Sequence, residues 1–411
     1  MRVGWEVKRL GEVCDLIARG VAPSYIDDGG MCVLNQKCVR DHQVNYELAR
    51  RHNAAAKRVD PERFLKAGDV LINSTGTGTL GRVAQVREEP PEPATVDTHV
   101  TIVRPQAGRF YPDFFGYMLI QIEDEIAASG EGASGQTELA RSVIENRFQV
   151  SFPTSLAEQK RIVAILDEAF AGIAAATANA EKNLANAREL FDGHLKSLFD
   201  EEHASWERKT LSQAALDFGR GKSKHRPRND PKLYGGKHPF IQTGDVRNCD
   251  HVILDSTQTY NEFGLAQSKL WPKGTICITI AANIAETGIL SFDACFPDSV
   301  IGMVVDPKQT TNDFVEYLLR SVQAQLKAAG KGSAQDNINL ATFEDRLLPF
   351  PALEEQVRIV GTLNELSRRV RQLEGLYEKK LSALAELKQA ILQKAFSGDL
   401  SGIKTRHCEA A

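Results

Sequence analysis

The chain has no Cys-x-x-Cys pair, and its seven cysteines (Cys14, Cys32, Cys38, Cys249, Cys277, Cys295 and Cys408) are odd in number and irregular in spacing. A disulfide framework or zinc ribbon needs paired, regularly spaced cysteines, so buried reduced thiols are expected instead. Long apolar runs are also missing. Residues 275–284 form the most apolar stretch, well short of the roughly 18 residues that a membrane helix requires. The first residues, MRVGWEVKRLGE, are charged and contain no signal-peptide core. A soluble cytoplasmic protein without a membrane association is the expectation. Charge of one sign is scarce as well: 50 Lys and Arg face 54 Asp and Glu, a net charge of −4. That balance excludes a globally basic nucleic-acid binder, so any DNA contact must come from local patches.

Catalytic signatures are missing in the same way. Gly221-Lys222-Ser223 suggests a phosphate loop, but the glycine that motif needs at position 216 is Leu216, and Pro227 stands where a helix should run. Gly76-Thr77-Gly78-Thr79-Leu80-Gly81 matches a dinucleotide fingerprint without its strand-helix context, and reads as a tight loop between strands. The nine histidines show no metal-ligand spacing, and His99 and His194 read as structural or surface groups. Neither a Gly-x-Ser-x-Gly elbow nor an Asn/Asp-Pro-Pro-Tyr/Phe run occurs. A chain without chemistry of its own is expected.

What is present is repetition. The 411 residues suggest two or three domains, and 42% hydrophobic with 25% charged residues is ordinary globular composition. Trp5-Glu6-Val7-Lys8 returns as Trp206-Glu207-Arg208-Lys209. Gly68-Asp69-Val70-Leu71-Ile72 returns as Gly274-Thr275-Ile276-Cys277-Ile278. Asp113-Phe114 returns as Asp313-Phe314, and Glu158-Gln159 as Glu355-Gln356. Ordered matches at offsets drifting around 200 residues mean a tandem duplication of a domain with its tail.

Both halves end in helical periodicity. After Pro153 apolar residues fall at Ile162, Leu166, Ala169, Ile173, Ala176, Ala180, Ala187, Phe191 and Leu198. After Pro351 they fall at Leu363, Leu366, Val370, Leu373, Tyr377, Leu381, Leu384, Leu387 and Ile391. Steps of three or four over many turns predict two long helices, the first over residues 156–200 and roughly 65 Å long. Such a helix cannot bury its stripe alone, and packing of the two stripes on each other is preferred to packing of each on its own domain. Ahead of them, β-like runs at 70–73, 100–104, 275–280 and 301–305, with helix candidates at 112–127 and 312–328, indicate mixed α+β domains. The expected organisation is a first domain over 1–152, a helix over 153–205, a second domain over 206–350, a helix over 351–400 and a tail over 401–411.

The polar loops are the candidate site. Residues 219–228 hold Arg220, Lys222, Lys224, Arg226 and Arg228, five cations in ten residues with glycines between. A phosphate-contacting loop is preferred to a merely solvated one because the rest of this domain is near neutral. The comparable segment of the first half, Ile17-Ala18-Arg19-Gly20-Val21-Ala22, is not basic. Asn35-Gln36-Lys37-Cys38-Val39-Arg40 aligns with Gln242-Thr243-Gly244-Asp245-Val246-Arg247, side chains suited either to base edges or to turns.

Taken in order, the tandem Trp-Glu starts, the Gly-Asp-Val-Leu-like strands and the leads into two long helices, a proline separated by three or four residues from Glu-Gln-x-x-Ile, resemble the specificity subunit of type I restriction-modification enzymes. The second half matches densely, through Thr279-Ile280-Ala281-Ala282-Asn283-Ile284, Asp298-Ser299-Val300 and Gly332-Ser333-Ala334-Gln335-Asp336-Asn337-Ile338-Asn339. The first half carries weaker versions, Ser74-Thr75-Gly76-Thr77-Gly78 and Ser134-Gly135-Gln136-Thr137-Glu138-Leu139. The resemblance covers about residues 4–400. It implies two target recognition domains reading the halves of an asymmetric split DNA site, and two helices forming an antiparallel coiled coil. The helices and their Glu-Gln segments would dock methyltransferase subunits. A restriction subunit would join the complex. S-adenosylmethionine would belong to the methyltransferase, and ATP and Mg to the restriction subunit. DNA contacts are expected from Asn35, Lys37, Arg40, Ser74, Thr77 and Arg82 in the first domain. In the second they are expected from Arg220, Lys222, Lys224, Arg226, Thr243, Arg247 and Asn283. Rival readings are a coiled-coil scaffold that binds only proteins, and a self-contained methyltransferase or nuclease.

Overall fold

The computed structural model describes residues 4–130, 138–200, 205–281, 284–330, 338, 340–344 and 346–398. The chain divides into two compact units. One is Met1–Ala180 with Lys379–Ala411, and the other is Glu181–Glu378.

Each unit repeats one plan. In the first, Trp5–Arg9 pairs antiparallel with Gln149–Pro153, which closes the domain at its two ends. An antiparallel sheet runs in the order Cys14–Arg19, Val100–Pro105, Val70–Asn73, Val83–Gln85. A second, smaller sheet runs in the order Ala94–Val96, Met31–Leu34, Arg50–His52, Tyr25–Ile26. In the second unit Glu207–Lys209 pairs with Leu348–Phe350. Its larger sheet runs Ala215–Arg220, Val300–Val305, Ile276–Thr279, Thr287–Leu290, Val252–Ile253. Its smaller one runs Gln258–Tyr260, Tyr234–Phe240, Ala294–Cys295, Leu270–Trp271. The four β-like runs of the sequence are all strands.

The two shorter helix candidates each break once. Pro112–Gln121 is followed by Glu123–Ala128, and Asn312–Ser321 by Gln323–Gly330. At Ile122 and Val322 the backbone opens to φ near −100° and ψ near zero (−101°, 13° and −98°, 3°), outside the helical well. Both residues are β-branched, which fits poorly in a helix interior.

The long helices are Leu156–Asp200 and Leu353–Ser397, 45 residues each. Leu156–Asp200 is long and apolar enough by composition to cross a membrane. The segment long enough to be checked as a span is therefore this helix and not the run at 275–284. Alanines carry the hydropathy of the helix, and they are easily passed over beside leucine and isoleucine.

The helices pack on each other, as expected, and on the domains as well. In the first unit Ile162, Val163 and Leu166 enter the domain core beside Phe114 and Phe152, and Leu392, Ala395 and Phe396 join them. Phe114 meets Phe396 at 5.2 Å between ring centroids, and Lys388 lies over the ring of Phe170. In the second unit Ala187, Phe191, Leu195 and Phe199 share a core with Phe314, Tyr317, Ile359, Leu363 and Val370. Arg188 pairs there with Glu374 at 2.8 Å. The two helical segments of each unit run antiparallel, and domain side chains join them in covering the buried stripe residues. Leu373 and Leu387, placed on the stripe by spacing, are 40% and 47% exposed.

Gln159 and Gln356 fasten the helices to their own domains. Gln159 is fully buried. Its Nε2 donates to the Pro153 carbonyl at 2.9 Å, and its Oε1 accepts from the Tyr111 N–H at 2.7 Å. Gln356 is equally buried, donating to Pro351 and Gln309 and accepting from the Thr310 hydroxyl. The amide of each Glu-Gln segment therefore faces inward rather than toward a docking partner.

Candidate nucleic-acid interface

In both units an outer strand of the larger sheet ends in a glycine that nothing else can replace. Gly20 donates to the Val100 carbonyl at 3.1 Å, and Gly221 donates to the Val300 carbonyl at 2.8 Å. A Cβ at Gly20 would lie 1.9 Å from the Val96 oxygen, and one at Gly221 2.3 Å from the Phe296 oxygen. From these matched points the chain emerges as Val21-Ala22 in one unit and as the basic loop in the other.

That loop alternates. Ser223 turns inward, 6% exposed, and bridges to Ser268, while Lys222 and Lys224 point out. Their ammonium groups and the Arg220 guanidinium meet no side-chain partner among the described residues. Lysines held outward by strand-like alternation, with nothing to neutralise them, suit a polyanion. Arg226 is spent differently. Its Nη1 donates to the carbonyls of Ser223 (2.6 Å) and His225 (2.9 Å), which folds the loop back. Arg228 pairs with Asp298 at 2.5 Å.

Beside the loop lies a groove of about 490 Å³, lined by Ser223, Arg228, Asn229, Tyr234, Gln242, Thr243 and Gln258 among others. Thr243 thus joins the basic loop. Arg247, at the far end of the short helix Thr243–Asn248, does not. It lines a separate polar cleft with Lys196, Glu286, Glu316 and Arg320. Asn283 lies outside the described residues, as do Gln335 and Asn337.

The polar cleft is organised by His251. Its Nδ1 lies 2.5 Å from Glu316, its Nε2 lies 2.8 Å from Asp313, and its ring stacks on Tyr317. Burial alone would lower its pKa, but the hydrogen bonds to Asp313 and Glu316 outweigh burial and raise it to about 9. The first unit has a counterpart in His42, which meets Glu123 at 2.6 Å. Both histidines sit in the left-handed backbone region, with φ of 61° and 69°. His251 ties the turn before the edge strand Val252–Ile253 of the larger sheet to the helix Asn312–Ser321, and His42 ties its hairpin turn to the helix Glu123–Ala128.

The first-domain candidates scatter. Ser74 is fully buried and shares a hydrogen bond with Thr101, so it faces the core rather than a ligand. Asn35 caps the turn Gln36–Cys38, accepting from Lys37 N–H at 2.8 Å and donating to the Leu48 carbonyl at 3.0 Å. Arg82 donates to the Gly78 carbonyl and braces its own hairpin loop, on which Thr77 is exposed. Lys37 and Arg40 are exposed.

Sequence reasoning missed Arg50. It is exposed, and its guanidinium lies 3.4 Å from the ring centroid of Tyr25. Pairing of Tyr25–Ile26 with Arg50–His52 makes this a surface where a stacked cation is presented. Scattered cations from 37 to 58 were the available signal.

The sequence model of the type I restriction modification DNA specificity domain matches residues 2–184 and again 206–380. The chain belongs to this specificity family. The duplication is thus two copies of the specificity domain, each with its long helix. Among curated relatives it is similar to the type I restriction enzyme EcoBI specificity subunit of Escherichia coli, 29% identical over 133 residues, 31% of this chain and 28% of the relative. It is also similar to the MjaIX specificity subunit of Methanocaldococcus jannaschii, 22% identical over 138 residues, 32% of each. The matches thus span about a third or less of those relatives' length. Among solved structures, one chain from work on complex assembly and conformational transition of the type I R-M system covers 97% of this chain and 99% of its own, with TM-score 0.77 and 20% identity. The HsdS subunit from Thermoanaerobacter tengcongensis covers 97% and 98%, with TM-score 0.59 and 20% identity. At that identity the likeness concerns the fold of the specificity family.

Proposed function

We propose that this chain is the DNA-reading subunit of a type I restriction-modification complex, each domain recognising one half of a split, asymmetric target. The observation that carries the reading is the repeated unit with unlike exposed loops. Gly20 and Gly221 release the chain at matched points, yet only one release is basic. Repeated frames with different contact residues suit two half-sites of different sequence. The long helices set the spacing between half-sites and offer their exposed faces to methyltransferase subunits. The chain itself performs no chemistry. S-adenosylmethionine is bound by the methyltransferase partner, ATP and Mg by a restriction partner, and the complex acts on double-stranded DNA in the cytoplasm.

The test is adenine-methylation mapping after co-expression with a type I methyltransferase subunit encoded beside it, in a host free of other methylation. A bipartite motif with unlike halves and a fixed gap is expected. An intact, soluble complex that leaves the host DNA unmethylated would overturn the reading in favour of a protein-binding scaffold.

A further inference from the structure

We infer that Gln242 and Gln258 act together as a reader of one adenine edge in the DNA major groove, an inference that rests on the DNA-reading function proposed above. Both line the groove beside the basic loop. They are 16 residues apart in sequence, and Gln242 Nε2 donates to Gln258 Oε1 at 2.7 Å.

That single bond uses one N–H of Gln242 and one lone pair of Gln258. It leaves Gln258 Nε2 with both N–H donors and Gln242 Oε1 as an acceptor, while Gln242 Nε2 keeps one N–H and Gln258 Oε1 one lone pair. Rotating both amides by half a turn exchanges which residue supplies which and leaves the same complement. In the major groove adenine presents an acceptor, N7, beside a donor, the N6 amino group. Guanine presents two acceptors, and cytosine presents its amino donor. The unshared Gln258 Nε2 and Gln242 Oε1 thus offer the donor and the acceptor that adenine N7 and N6 call for, one from each residue.

The pair is held in place before any ligand arrives. Asp245 accepts from the Gln242 N–H at 2.7 Å, and from the N–H and hydroxyl of Thr257 at 3.3 Å each. One carboxylate thus fixes the backbone at Gln242 and next to Gln258. The strand Gln258–Tyr260 is stiffened by Tyr260, whose ring stacks on Phe240 at 4.0 Å. Lys222 and Lys224, on the loop whose Ser223 lines the same groove, supply sequence-independent phosphate contacts that set the register. The first domain shows no equivalent pair among the described residues. Asn35, which aligns with Gln242, spends both ends of its amide on Lys37 and Leu48.

The experiment is selection from a random duplex library by the full chain with its methyltransferase subunit, using wild type, Gln242→Ala, Gln258→Ala and Gln258→Glu. Wild type is expected to require adenine at one position of one half-site. Each alanine variant should lose that preference by roughly 5- to 150-fold and keep every other position. Gln258→Glu, an acceptor in place of a donor, should move the preference toward cytosine. Retention of the adenine preference in all three variants would overturn the inference while leaving the DNA-reading function intact. So would complete loss of binding by variants that melt like wild type, because one base contact does not carry the phosphate affinity. Should an alanine variant melt early, Gln258→Glu alone decides. No enrichment by wild type would remove the DNA-reading function itself.

Discussion

Gln159 donates to the carbonyl of Pro153 at 2.9 Å, and this bond fixes where the first long helix leaves its domain. Gln356 and Pro351 repeat it at 2.9 Å in the second unit. Each glutamine is fully buried and satisfies backbone groups at the helix entry. Leaving such groups unpaired costs about 1–3 kcal/mol apiece. Gln356→Ala is therefore expected to lower stability by about 3 kcal/mol in chemical denaturation, with Gln356→Glu no better. A change under about 0.5 kcal/mol would show that water or a neighbour replaces the amide.

Asp69 and Arg104 form a bidentate pair at 2.7 Å, with Asp69 only 1% exposed. The second unit carries Thr275 and Val304 at the matching places, so the same sheet is stable without the charges. Asp69→Ala should cost about 3–5 kcal/mol, because it strands a half-buried guanidinium. The double variant Asp69→Thr with Arg104→Val should recover most of that loss. Additive costs in the double-mutant cycle would refute the coupling.

His251 predicts a pH dependence. Its pKa is raised to about 9 from an ordinary 6.5. A raised pKa means that the folded state binds the proton more tightly. Its stabilising contribution is therefore complete below pH 6.5 and disappears as pH rises through 9. The shift corresponds to a contribution on the order of 3 kcal/mol. Thermal unfolding of wild type and His251→Gln should differ most near pH 6.5 and converge by pH 10. Parallel curves over that range would contradict the imidazolium.

Lys222 and Lys224 point outward with no side-chain partner among the described residues, whereas Arg226 braces the loop. Replacing both lysines with alanine should weaken binding to all DNA sequences alike and reduce the slope of log K against log salt by about 2. Arg226→Ala should instead loosen the loop and change the slope less. An unchanged slope in the double-lysine variant would remove this loop from the interface.

Much of this was legible before folding. Periodicity and the flanking prolines marked Leu156–Asp200 as one helix, because three- and four-residue steps carry that information directly. Ser74 was not legible. A serine ahead of a glycine-rich loop looks exposed, and only the pairing of Val100–Pro105 with Val70–Asn73 shows that it faces Thr101. The stacking of Arg50 on Tyr25 and the pairing of Gln242 with Gln258 were hidden for the same reason. Strand pairing brings together residues that share no local pattern.

The first unit takes its last core residues, Leu392, Ala395 and Phe396, from the far end of the chain. During synthesis Phe114 is made early, but its partner Phe396 follows only some 280 residues later. At 5–20 residues per second the N-terminal core waits roughly 15–55 s with an open apolar face. The second unit, by contrast, is complete as soon as Glu378 emerges. The order of maturation is therefore reversed relative to the order of translation, and the first domain made is the last to close.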